Sequence, residues 1–109
     1  MKPLSTPLYP DQKRVVADVE AKIQALFNRC PTLCGFSVQD RATLPAQMTE
    51  NQIPDADLYV TEIGMFPKLG ADQYADVFDE ITITISSLVN EQPNAYEVLR
   101  GRTFARTIQ

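Results

Sequence analysis

At 109 residues, 44% hydrophobic and 22% charged, the chain has room for one hydrophobic core and is too short for two domains. A formal charge of −4 and a sequence pI near 4.6 argue against a global basic field for nucleic acid. Histidine is absent, which removes the commonest zinc ligand and the side chain whose charge changes nearest neutral pH.

Residues 1–9 contain Pro3 and Pro7 and read as an arm ahead of a single domain over 10–109; they lack the apolar run of a signal peptide. Pro10 suits a first helical position, and Asp11 follows favourably in the first turn. Val15, Val16, Val19, Ile23, Leu26 and Phe27 then recur at helical spacing, until Pro31 stops the helix near Asn28. Residues 35–40 alternate apolar and polar, as a half-buried strand does. A long loop over 42–56 holds Pro45 and Pro54, and a second strand runs from Leu58 to Ile63, ended by Gly64.

The stretch from Ala71 to Glu91 contains two conflicting signals. Ile81-Thr82-Ile83-Thr84-Ile85 alone spells a strand. Tyr74, Val77, Phe78, Ile81, Ile85, Leu88 and Val89 instead form one helical stripe, with Asp72, Asp76, Asp79 and Glu80 gathered opposite. β-Branched residues cost only a few tenths of a kcal/mol each in a helix, so the longer pattern wins. Pro93 breaks this helix, Asn94 with Glu97 has the spacing of a capping box for a short one, and Gly101 ends it. Residues 102–108 read as extended. The expected fold is α+β, a small two-layer sandwich in which an antiparallel or mixed sheet of about three strands carries two long helices on one face.

Few residue types point to catalysis. Cys30 and Cys34 are spaced one residue too far apart for a redox pair, and Cys30 follows a helix C-terminus, where the dipole disfavours a thiolate. Two cysteines without histidine do not complete a zinc site, so neither metal nor cofactor is expected. The four carboxylates read as a solvated helix face, and Ile83 in their midst as a single exposed apolar residue or a partner contact.

Two segments remain as binding candidates. Residues 64–70 put Met65, Phe66, Lys68 and Leu69 between two glycines, at a strand-to-helix junction where a helix N-terminus accepts anions. With Tyr59 from the preceding strand, they outline a pocket for a small molecule or anion. In the terminal segment, Arg102, Phe104 and Arg106 share one face if the chain is extended. Arginines beside an aromatic can grip phosphate, yet in an acidic protein a salt-bridging edge strand is the better reading.

The expectation is therefore a non-catalytic protein-interaction module, a homodimer with a possible protein partner, and no dealings with nucleic acid or membrane. The alternative is the small-molecule or anion-binding domain, with minor enzymatic activity, centred on residues 64–72. Two cysteines without an export signal point to the cytoplasm.

Overall fold

The computed structural model describes residues 10–44, 46, 51–65 and 70–106. The chain runs through α1 (Pro10–Arg29), β1 (Leu33–Asp40), a 3₁₀ turn at Arg41–Thr43, β2 (Gln52–Ile53) and a second 3₁₀ turn at Pro54–Ala56. β3 (Leu58–Met65), α2 (Ala71–Glu91), α3 (Ala95–Leu99) and β4 (Arg102–Ala105) follow. The fold is α+β, and among the described residues the sheet has four strands, in the order β2-β3-β1-β4, all antiparallel. The extra strand against the expected three is β2, only two residues long and lying in what reads as loop. None of the described helices is long and apolar enough to cross a membrane.

On α1, Val15, Val19, Ile23, Leu26 and Phe27 are buried at helical spacing, and they face Leu33, Phe36 and Val38 of β1 across the core. Full burial of side chains this size contributes roughly 1.5–3 kcal/mol each. The second long helix is a helix through the β-branched run, with Val77, Ile81, Thr84, Ile85 and Leu88 buried. The Thr84 hydroxyl is satisfied by Arg29 Nη2 of α1 at 3.0 Å. Asp72, Asp76 and Asp79 are exposed, as the pattern requires, whereas Tyr74 and Phe78 are half-buried rather than buried. Tyr74 sits at the margin of the stripe, where its hydroxyl accepts from Asn51 Nδ2 at 3.4 Å, just ahead of the short β2.

Polar ties show that the two long helices run antiparallel. Gln92 donates to Asp18, Lys22 lies 3.7 Å from Glu91, and Arg29 lies 3.1 Å from Glu80. Exposed pairs of this kind are worth about 0–1 kcal/mol each, so they set alignment more than stability. The expected capping box at α3 does not form. Asn94 makes no side-chain cap bond, and Glu97 turns to Arg100 at 3.2 Å. The Asn94 backbone is already helical (φ −64°, ψ −17°), whereas a capping side chain reaches its N–H from extended backbone. Gly101 ends the segment with φ +76°, the left-handed region that favours glycine, and its N–H bonds to Val38 O at 2.7 Å.

β1 and β3 pair with two irregularities that cancel. Leu33 pairs with Met65 and Gly35 with Gly64, so β1 carries one extra residue there; Gly35 to Ser37 then spans Gly64 to Thr61, so β3 carries one extra. The surplus residue of β3 is Glu62, with φ +54°. Across β4, Gly35 faces Ala105 so closely that a Cβ on it would stand 2.8 Å from Phe104 O, which excludes any larger residue.

The last strand is part of the core. Phe104 is buried with its ring 5.5 Å from that of Phe36, and Arg106 beyond it donates to the carbonyls of Phe27, Cys30 and Leu33. Truncation after Gly101 is therefore expected to leave a chain without cooperative unfolding, read by circular dichroism during urea titration. Arg106→Met keeps the apolar stem but removes a donor from three carbonyls, of which Cys30 O keeps the Leu33 N–H at 3.0 Å, and should cost roughly 1–3 kcal/mol in the same titration. Arg106→Lys should recover part of that loss.

Candidate functional site

The terminal strand is built by alternation. Arg102 and Phe104 point toward the helices, and Thr103 and Ala105 point away and are exposed. Arg102, Phe104 and Arg106 do share a face, as the sequence implies, but it is the inner one. The Arg102 guanidinium lies 5.7 Å from the Phe104 ring centre and 3.6 Å from Glu20 of α1. That of Arg106 lies 5.2 Å from the Phe27 ring centre, with its donors on the corner carbonyls. Both arginines are engaged within the chain, and what β4 presents outward is Thr103, Ala105 and its own edge.

Beside Thr103 lies a shallow hollow of about 230 Å³ on the outer side of the sheet, lined by Cys34, Gly35, Ser37, Glu62, Gly64 and Thr103 among others. The hydroxyls of Ser37 and Thr103 stand 2.8 Å apart, and Ser37 Oγ donates to Glu62 Oε2 at 3.5 Å. Ser37 is buried, and the cross-strand hydroxyl pair ties β1 to β4. Strand spacing alone could not find this trio, because Glu62 joins it only through the bulge.

The pocket expected around residues 64–72 is described only in part. Phe66 and Lys68 lie outside the described residues, as does Leu69. Met65 packs against the core, whereas Tyr59 is buried but stands apart from that cluster, with Leu58 and Val60 pointing into it on either side. By simple alternation Tyr59 and Met65, six residues apart, share a face; the extra residue at Glu62 sends them to opposite faces. Gly70 is the N-cap of α2 and makes no side-chain cap bond.

Both cysteines are free thiols. Cys30 is 7% exposed, and burial, aided by the negative charge of Glu80, pushes its pKa up against the opposing pull of Arg29 and Arg106. Cys34 is half-buried. Among the described residues no group of three or more cysteine and carboxylate side chains could hold a metal ion.

A second polar cluster, invisible in the sequence pattern, joins the end of β1 to α3. Hydrogen bonding from Tyr96, then from the Ala42 N–H at 2.8 Å, and the neighbouring Arg100 at 3.1 Å hold the Asp40 carboxyl below its ordinary range. The same contacts raise the Tyr96 phenol, chiefly through Asp40, and raise Arg100. Only Asp40 carries a local signal, as a residue that caps a turn with its side chain. No known protein family, curated protein or solved structure matches this chain.

Two measurements follow from these groups. Because the folded pKa of Asp40 is depressed, its contribution is full above the unfolded value near about 3.9 and is lost as pH falls through the folded value. Thermal melts from pH 6 down to about 2 should show an acid decline that is shallower in Asp40→Asn, which has no carboxylate to protonate. For Cys30, buried and held as thiol, alkylation by iodoacetamide at neutral pH should be slower than at Cys34 by about tenfold or more, with the difference abolished in denaturant.

Proposed function

We propose that the protein is a non-catalytic protein-interaction module of the cytoplasm, acting as a homodimer joined along β4. The observation that carries this reading is the position of β4 at the sheet's margin, with β1 as its one strand neighbour among the described residues. A strand edge is a template for another strand, and a second copy of the same edge is the partner always at hand. Two β4 strands running antiparallel about a two-fold axis extend each four-stranded sheet into one of eight. Thr103 and Ala105, exposed and small, let the paired edges approach without a clash on the outer side. A stable dimer buries about 800 Å² per partner, more than four-residue edges supply, so exposed surface flanking the β4 edge has to join the interface as well.

Sedimentation velocity of the full-length protein from low to high micromolar concentration tests the proposal, with a dimer as the expected result. The double variant Thr103→Lys, Ala105→Lys sets like charges opposite one another across the two-fold axis and should return a folded monomer. A wild-type chain that stays monomeric throughout, or a dimer indifferent to both lysines, would overturn the β4 interface.

A further inference from the structure

We infer that the trough between α1 and α2, on the side away from the sheet, docks a basic amphipathic segment of another protein. This rests on the interaction-module reading above, though not on the β4 dimer. Ile83 is the starting point: it is 62% exposed, the one large apolar residue so exposed among the described residues. On its flanks lie two hollows that both include it, one of about 580 Å³ against Ala21, Ala25 and Ser87, the other of about 950 Å³ against Pro31, Gln73 and Asp76. Ile83 and the Arg29–Glu80 pair border both, so the hollows lie end to end along the helix pair, with Ile83 standing exposed between them. Ala21 and Ala25, four residues apart on α1, lower one wall and leave room for another chain's side chains.

Charge selects the occupant. In the larger hollow Arg29 is matched by Glu80 at 3.1 Å, which leaves Asp76 and Asp79 without an ion-pair partner among the described residues. Asp72, one turn before Asp76, extends the same acidic rim. An apolar anchor resting on Ile83, with lysine or arginine a turn away on either side, complements this surface as a helix lying in a groove. A second copy docking α2 against α2 would instead oppose two acidic rims.

The probe is a fluorescein-labelled amphipathic peptide of lysine and leucine, titrated into the full-length protein by anisotropy and followed by amide chemical shifts. Saturable micromolar binding is expected, with shifts confined to residues 21–32 and 73–87. Ile83→Ser should weaken it about tenfold, and Asp76→Asn with Asp79→Asn should weaken it and flatten its salt dependence. All three positions are exposed, so circular dichroism should report an unchanged fold. The Thr103→Lys, Ala105→Lys variant should bind the peptide as wild type does, which separates this surface from the fate of the β4 dimer. Equal binding of a glutamate and leucine peptide, indifference to Ile83→Ser, shifts centred on β4, or no saturation at high micromolar peptide would each overturn the inference. So would self-association abolished by Ile83→Ser, which would make a second copy the occupant.

Discussion

At the corner where α1 turns into β1, the carbonyls of Phe27, Cys30 and Leu33 converge on one guanidinium, that of Arg106. The end of a helix leaves its last carbonyls without intrahelical partners, and the dipole makes that end favourable for a cation. Here the cation comes from the far end of the chain. It is placed there because Phe104, two residues earlier, packs its ring on Phe36 and fixes the face on which Arg106 emerges. The Phe27 ring completes the pocket, 6.1 Å from Phe36 and beneath the guanidinium. Helix, central strand and terminal strand are thus held by one set of contacts, and β4 becomes a sheet margin rather than a tail.

Commitment of the inner face has a consequence for function. The arginines of the terminal segment hold α1, so what remains to meet another molecule is the edge of β4 and the small residues beside it. On that side Ser37 bonds to Thr103 on one neighbouring strand and to Glu62 on the other. Glu62 adopts left-handed backbone there, an uncommon state for a residue other than glycine, asparagine or aspartate. The bulge that requires it turns Ile63 and Met65 inward to the core and leaves a shallow, mostly small-residue surface outside. The helical layer has the opposite character, hollows on either side of the exposed Ile83 with an acidic rim. The two surfaces lie on opposite sides of the molecule, so occupation of one leaves the other accessible.

The helical periods of α1 and α2, the alternation of β1 and the breaks at Pro31, Pro93 and Gly101 were legible in the sequence, because each is set by neighbours within a turn or two. α2 shows how far such reasoning reaches. Thr84 is buried within the β-branched run and would be costly there with its hydroxyl unmet, yet Arg29, fifty-five residues away, supplies the bond. The stripe predicted the helix; it had no means of predicting the donor. β2 escaped notice because two residues are too few to show a period, and its pairing with β3 is a tertiary fact.

The sequence by itself determined the class of fold, the two long helices, the face each buries, and the acidic rim with Ile83 in its midst, since periodicity and side-chain chemistry are local properties. Tertiary structure alone decided what each face of the sheet carries. A single surplus residue at Glu62 reverses the parity of everything after it in β3, parting Met65 from Tyr59, and only the pairing of β3 with β1 shows where that residue falls. Tertiary structure also decided the role of the terminal arginines. Their spacing placed them together on one face, but the packing of Phe104 against Phe36 made that face the interior, where a guanidinium is stable only with its donors met.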